Sequence, residues 1–577
     1  MLLESSRSRR SPPARFVIIA SALAAGVLVV VLLSRGGGSE PAERRAAERF
    51  VAAWARDDYA AMRAEVIEKD RRAMSVGQFA DAYRRARATA TATAVTHGEV
   101  SELREGVVSV PMVVTTRVFG TVRAPVRLTF AGDGEEKQIN WKPNLVFPGV
   151  KPGEQLERQT TLPRRADILA RDGTPLAQGD ERSSPLADVA DSIVGELGPP
   201  PPERDDRLRE LGYPDDVTVG TSGLERVFEE RLAGTPGGQL RAGSRVLALT
   251  LPRPGEPVRS SIDPDVQRAA VAAKGERVGG VAVVRPRTGE ILALAGIAFS
   301  GLQPPGSTFK IVTLTGVLEA KIAGPRSTYP VQTKTTIEGV DLENANGEAC
   351  GGTLRDSFAH SCNSVFAPLG ARLGAARLVE TAEQFGFNKE IGIAGAATST
   401  IPPASEIGDD LAVGSSAIGQ GRVQATALQM AWVAATIAGR GRRPRLTLER
   451  DLAPQRAQVI DADVARLVGR MMEAVVRQGT GTAAAISGVR VAGKTGTAEL
   501  RDTSTAECVP SPDPAVPPCP PVLPDDPTDT DAWFAAYAPA ANPRVAVGVL
   551  LVQSGVGGDT AAPVAKQALL AGLKATR

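Results

Sequence analysis

The chain has 577 residues, too many for a single hydrophobic core, and its 67 Lys and Arg nearly balance 65 Asp and Glu. That length gives a prior of about three or four domains, and the balanced charge excludes a global basic field for nucleic acid. With only two histidines, His97 and His360, neither a metal site nor a Ser-His-Asp triad is expected, and both are read as structural or solvated.

Phe16 to Ser34, FVIIASALAAGVLVVVLLS, carries no charge. At about 1.5 Å per residue, a helix of this length comes close to spanning a hydrocarbon core of about 30 Å. Arg7, Arg9, Arg10 and Arg15 precede it, and only Arg35 follows before GGGSEPAE. The positive-inside rule then predicts a single-pass cell-membrane protein, with residues 1–15 a cytoplasmic tail, 16–34 a transmembrane helix and the remainder extracytoplasmic. A cleavable signal peptide is the alternative, but its apolar region is usually shorter and no small-x-small site stands cleanly after this run.

From Pro41 to about Val66, the residues Phe50, Trp54, Tyr59, Met62 and Val66 recur at the steps of an amphipathic helix. Later, Val122, Ala124, Val126, Leu128 and Phe130 alternate with Arg123, Pro125, Arg127 and Thr129, as in a half-buried strand. Helices followed by antiparallel strands predict an α+β unit over 41–150, ending near NWKPNLVFPGV. In 151–257, PRRADILARDGTPLA reads as two strands about a tight Asp172-Gly173 turn. GPPPPERDD reads as a Pro-rich linker or exposed loop, and GLERVFEERLAG as a short helix between glycines.

From 258 to 577 the character is α/β. GGVAVVRPRTGEILALAG predicts a buried hairpin turning at Thr288-Gly289, RVAVGVLLV a further strand, and AAPVAKQALLAGLKA a helix packed on the sheet. The polar, Pro- and Asp-rich stretch between Glu499 and Asp531 reads as a long surface excursion.

Within that region, PPGSTFK places Ser307 and Lys310 three apart behind a Pro-Pro-Gly turn, which on a helix makes them neighbours. A serine hydroxyl is a poor nucleophile until its proton is removed, and a desolvated lysine of lowered pKa can remove it. Alone, S-x-x-K is common in a chain this long. SCN (Ser361, Cys362, Asn363) and KTGTAE (Lys494 to Glu499) follow in order. S-x-x-K, S-x-N and K-T-G in that sequence are the known signature of penicillin-binding proteins and class A β-lactamases.

On these motifs the chain resembles a class B penicillin-binding protein, a D,D-transpeptidase of peptidoglycan cross-linking. RRADILARDGTPLA and GLERVFEERLAG resemble that family's dimerisation, or pedestal, domain. SSAIGQGRVQATALQMA, KTGTAE and DAWFAAYAP resemble its transpeptidase core. The unit ending in NWKPNLVFPGV is similar to the nuclear transport factor 2-like domain of the methicillin-resistance subtype. The resemblance implies a multidomain chain: anchor, α+β nuclear transport factor 2-like domain (41–150), mixed α+β pedestal (151–257), and an α/β transpeptidase domain (258–577) whose antiparallel sheet is flanked by helices. It implies stem peptides and β-lactams as ligands, the membrane and a glycosyltransferase as partners, and no cofactor.

The resemblance further implies that Ser307 attacks the carbonyl between two D-alanines, that Lys310 is the base, and that Ser361 relays a proton. Asn363 would hold the substrate amide; Lys494, Thr495 and Thr497 would bind the terminal carboxylate; and the Ser307 and Thr497 amides would form the oxyanion hole. Gly496 is read as letting substrate backbone approach the strand edge. Four cysteines in an oxidising compartment permit two bridges, with Cys350–Cys362 and Cys508–Cys519 as candidates. The alternatives are a serine β-lactamase, a D,D-carboxypeptidase, and a sensory or idle β-lactam-binding scaffold. No Glu-x-x-Leu-Asn segment between Asn363 and Lys494 supplies a deacylating glutamate.

Overall fold

The computed structural model describes residues 40–500 and 529–577; the predicted anchor at 16–34, the bulk of the 499–531 excursion and the Cys508–Cys519 pair lie outside them. No helix among the described residues is long and apolar enough to cross a membrane. The chain divides into two compact units, one running to Arg158 and including Leu240–Ala248, the other comprising Gln159–Gln239 and Leu249–Arg577.

In the first unit, α1 (Ala42–Ala55) buries Phe50, Val51 and Trp54. The apolar periodicity to Val66 is not one helix. Asp57 turns left-handed at φ 58°, and Asp58 accepts the Ala61 amide at 3.0 Å to start α2 (Tyr59–Ala64). Aspartate tolerates that conformation and is a preferred N-cap, so local capping wins over periodicity. After α3 (Glu68–Ala73), a Ser75–Gln78 capping box opens α4 (Val76–Thr89).

Four strands then pair in chain order: β1 (Ala92–His97), β2 (Val107–Thr116), β3 (Thr121–Ala131) and β4 (Gln138–Ile139). The alternation read at 122–130 lies on β3, where Val122, Val126 and Leu128 are buried while Arg123 and Arg127 are exposed. These side chains share one core with Phe50, Trp54, Phe79 and Tyr83. Tyr83 meets Trp54 edge to face at 5.1 Å, and its hydroxyl accepts from Trp141 Nε1 at 3.1 Å.

The second unit opens with Ile168–Leu169 and Pro175–Ala177, paired across the predicted turn, where Gly173 has φ 96°. GPPPPERDD is neither linker nor loop throughout: Pro202–Glu210 is a helix with Pro202 at its first position, where the missing N–H would be unpaired anyway. GLERVFEERLAG forms two short turns, Gly223–Val227 and Glu229–Leu232. Their Glu225 and Glu229 are almost wholly buried, and Arg165 bonds both at 2.7 Å while Arg182 bonds Glu225 at 2.7 Å. Removing one member would strand a buried charge at a cost of about 3–5 kcal/mol, so the four act as a unit.

β5 (Gly279–Val284) and β6 (Ile291–Gly296) form the predicted hairpin. There follow α5 (Lys310–Glu319), the hairpin β7 (Lys334–Ile337) and β8 (Val340–Glu343), β9 (Cys350–Thr353), and α6 (Leu354–Ala359). Next come α7 (Asn363–Leu373), α8 (Ala427–Ala438) and α9 (Ala462–Gln478). The chain ends with β10 (Ala492–Glu499), β11 (Thr530–Ala538), β12 (Val545–Leu551) and α10 (Ala561–Ala575). Five strands form one sheet in the order β6-β5-β12-β11-β10, all neighbours antiparallel.

Alternate residues of β12 serve opposite faces. Val547 and Val549 share a core with Leu569 and Leu573 of α10, while Ala546 and Leu550 share one with Leu428 and Ala431 of α8. A sheet covered on both sides explains why RVAVGVLLV is an unbroken apolar run. Gly548 admits α8, because a Cβ there would lie 2.0 Å from the Ala427 carbonyl oxygen.

Candidate active site

Ser307 lies in a single 3-10 turn, Gly306–Phe309, immediately before α5. In a 3-10 turn, residues i and i+3 eclipse, which brings Lys310 beneath Ser307. Lys310 is fully buried, with Nζ 3.0 Å from Ser307 Oγ. The same nitrogen donates to the Ser361 carbonyl and to Asn363 Oδ1, each at 2.6 Å, and meets Ser361 Oγ at 3.3 Å.

Ser361 reaches the lysine from a kink between α6 and α7, where its backbone is left-handed at φ 63°. Cys362 holds the N-cap position of α7, is fully buried, and is bonded to Cys350 of β9. One predicted bridge is therefore present, and it fastens the middle of the S-x-N triplet to a neighbouring strand.

Lys494 projects from β10, a lateral strand of the sheet, and is also fully buried. Its Nζ donates to Ser361 Oγ at 2.8 Å and to the Thr495 carbonyl at 3.0 Å. Burial pulls Lys310 well below the ordinary lysine value, and the nearby Lys494 charge adds to that; burial alone brings Lys494 to about 7.

The remaining residues separate by depth. Thr497 is half-buried, and its hydroxyl accepts the Gly557 amide at 3.4 Å. Thr495 is buried, and its hydroxyl is engaged with Thr480 Oγ1 at 2.6 Å. Gly496 has a packing role besides the one read from the sequence. A Cβ there would stand 2.8 Å from the Pro305 carbonyl oxygen and 3.0 Å from Thr308 Cγ2, so this glycine admits the turn that carries Ser307. Gly306 answers it: its φ is 51°, and a Cβ would lie 2.5 Å from the Thr497 carbonyl oxygen.

The structure thus brings together Ser307, Lys310, Ser361, Asn363 and Lys494 around one hydrogen-bonded centre, with Thr495, Gly496 and Thr497 on the strand beside it. His97 and His360 are exposed. Sequence reasoning missed Thr480 and Asn344. Thr480 carried a weak signal in the glycine-flanked QGTGT. Asn344 binds the Ser364 amide through Oδ1 at 2.9 Å, and nothing in its sequence context marks it.

Comparison with known proteins agrees with this geometry. Residues 279–570 match the penicillin-binding protein transpeptidase domain, 42–154 the NTF2-like N-terminal transpeptidase domain, and 173–245 the penicillin-binding protein dimerisation domain. The chain is 32% identical over 439 residues to the peptidoglycan D,D-transpeptidase PbpA of Mycolicibacterium smegmatis, covering 63% of this chain and 81% of the relative. It is 31% identical over 394 residues to PbpA of Mycobacterium tuberculosis, covering 56% and 73%. Among solved structures, a D,D-transpeptidase domain from Eggerthella lenta aligns at TM-score 0.56 with 28% identity over 72% of this chain and 99% of its own. PBP2 of Pseudomonas aeruginosa aligns at 0.59 with 26% identity over 72% and 96%. With the transpeptidase match alone spanning more than half of its residues, the chain belongs to the penicillin-binding protein transpeptidase family, in the class B arrangement of NTF2-like, dimerisation and transpeptidase domains.

Proposed function

We propose that this chain is a peptidoglycan D,D-transpeptidase that works through an acyl-enzyme on Ser307. The observation that carries the reading is the set of partners around Lys310 Nζ. A neutral amine has two N–H donors and one lone pair. Two carbonyl oxygens at 2.6 Å, which can only accept, take up both donors. The lone pair is left for the Ser307 hydroxyl at 3.0 Å.

Ser307 Oγ attacks the carbonyl between two D-alanines, and its proton passes to Lys310 as the ester bond forms. The Ser307 and Thr497 amides receive the oxyanion, each such donor being worth about 3–4 kcal/mol at the barrier. Ser361, bonded to both lysines, relays the proton to the departing D-alanine nitrogen as that C–N bond breaks. Asn363 holds the substrate amide, and Lys494 with Thr497 attracts the terminal carboxylate, Thr495 contributing once its bond to Thr480 opens. The amine of a second stem peptide then attacks the ester, releases Ser307 and leaves a cross-link. A β-lactam enters the same first half-reaction.

Residues 16–34 complete the reading as an uncleaved anchor with the N-terminus cytoplasmic. This places the enzyme on the outer side of the cell membrane, beside a partner glycosyltransferase that supplies glycan strands. The uncharged run and its arginine-rich flank support this, and a mature N-terminus beyond residue 35 would overturn it. The test of function is labelling with a fluorescent penicillin. The parent should keep the label through denaturing electrophoresis and Ser307→Ala should not; label retained by Ser307→Ala places the nucleophile elsewhere, and rapid drug turnover indicates a β-lactamase.

A further inference from the structure

The amide of Asn363 is useful to Lys310 in one orientation only. With Oδ1 toward Nζ it accepts at 2.6 Å; rotated by half a turn, it would set an NH2 against the lysine's own N–H groups. What fixes the orientation is the other end: Asn363 Nδ2 donates to the Glu343 carbonyl at 2.8 Å, at the end of β8.

Glu343 is in turn held by its neighbour. Asn344 is only 4% exposed, and its side chain makes three hydrogen bonds. Nδ2 donates to the Gln332 carbonyl at 2.8 Å and the Glu348 carbonyl at 2.9 Å, while Oδ1 accepts the Ser364 amide at 2.9 Å. Its backbone N–H donates to the Thr333 carbonyl at 2.8 Å. Ser364 lies in the first turn of α7, where amides have no partner within the helix. The N-cap residue Cys362 makes no side-chain cap bond, so Asn344 caps α7 from a separate segment.

We propose that Asn344, with the Glu343 carbonyl beside it, is a positioning residue that fixes the Asn363 amide toward Lys310; this rests on the Ser307 acyl-enzyme reading above. Its side chain ties three things at once: the end of the β7–β8 hairpin, the loop leading to β9, and the helix start that carries the S-x-N triplet. Without it, both the cap and the Glu343 carbonyl shift, and the Asn363 amide is free to turn.

The acid limb of the acylation profile separates this role from simple destabilisation. A carbonyl acceptor favours the N–H-rich, cationic form of Lys310, so losing it makes the lysine less basic. Lys494 on β10 is the charged group acting on Lys310. Otherwise the turn and the S-x-N triplet present uncharged oxygens of Ser307, Ser361 and Asn363 to its nitrogen, and α7 adds the Phe366 ring at 5.9 Å.

The experiment measures first-order acylation constants of the full-length chain with a fluorescent penicillin across pH, parent against Asn344→Ala. An unfolded population lowers the amplitude, or scales the rate constant by the folded fraction, which circular dichroism at each pH supplies for the correction. For Asn344→Ala the plateau should fall about a hundredfold, as for a misplacement near 1 Å, and the acid limb should move to lower pH. Superimposed profiles, a lowered plateau with an unmoved limb, or a change confined to amplitude would each overturn the proposal. If Asn344→Ala does not fold, Asn344→Ser is judged by the same criteria. A parent that fails to label on Ser307 refutes the enzymatic reading instead, so the two failures are distinguishable.

Discussion

Lys310 and Lys494 converge on a single hydroxyl: Ser361 Oγ lies 3.3 Å from Lys310 Nζ and 2.8 Å from Lys494 Nζ. Both side chains are fully buried, and neither has a carboxylate among its hydrogen-bond partners in the described residues. Two positive charges buried so close together repel strongly, so protonation of one opposes that of the other. The pair therefore favours one charged lysine and one base.

Replacing the base should show which lysine is which. Lys310→Ala should slow acylation by about 10²–10⁴, the usual worth of a positioned general base. Lys310→Arg should be equally defective despite keeping the charge, because a guanidinium does not deprotonate. Second-order acylation constants at neutral pH check both, and an active arginine variant would remove Lys310 from the role.

The burial of Lys494 predicts a pH-dependent stability. Its folded-state value, about 7, lies below the ordinary 10.5. Between the two the unfolded chain binds the extra proton, so this lysine makes stability rise with pH by up to about 1.4 kcal/mol per unit across that window. Lys494→Met lacks the term. Relative to the parent, its thermal midpoint should be more favourable near pH 7 than near pH 10. A difference independent of pH would contradict the assignment, whatever the lost hydrogen bonds cost.

The bridge between Cys350 and Cys362 closes a loop of sequence separation 12. On the chain-entropy model such a loop is worth about 2–3 kcal/mol. Cys350→Ser with Cys362→Ser should lower the thermal midpoint accordingly, and acylation should slow because Cys362 stands between Ser361 and Asn363. Calorimetry and penicillin labelling of the double variant check the two effects separately.

Gly306→Ala should injure the site without touching any reacting group. The residue is left-handed, and the new methyl would sit 2.5 Å from the Thr497 carbonyl oxygen, so the turn must retreat from β10. A shift near 1 Å between nucleophile and oxyanion donor is expected to cost about a hundredfold in acylation. A crystal structure of the variant with an unmoved Ser307 would refute this account.

Where the sequence was legible, one physical signal dominated. The β5–β6 hairpin and β12 were readable because near-continuous burial leaves an apolar run, α10 because one apolar face packs on the sheet, and the three short motifs because together they match a known signature. The Pro41–Val66 stretch misled, since apolar spacing persisted through a break that Asp57 and Asp58 impose locally. The proline run at 199–202 misled oppositely, a helix start having been read as a linker. The packing role of Gly496 was invisible because its neighbour, the Pro305 carbonyl, is remote in the chain. Asn344 was invisible for the same reason: an asparagine caps a helix twenty residues away only once the β7–β8 hairpin has folded back.

The strand order has a further consequence, in time rather than space. β5, the first strand of its sheet in the chain, pairs along its length with β12, the last, across Gly279–Leu551 through Val284–Ala546. β10, which carries Lys494, reaches the sheet only through β11 and β12. A chain cut before Val545 would hold every motif residue yet lack the strand that joins the two halves. Such non-local pairing must meet its loop-closure entropy before any contact rewards it, which makes assembly slow. During synthesis, assembly of the hydrogen-bonded centre around Ser307 should therefore wait until Val545–Leu551 has been made and has joined the sheet.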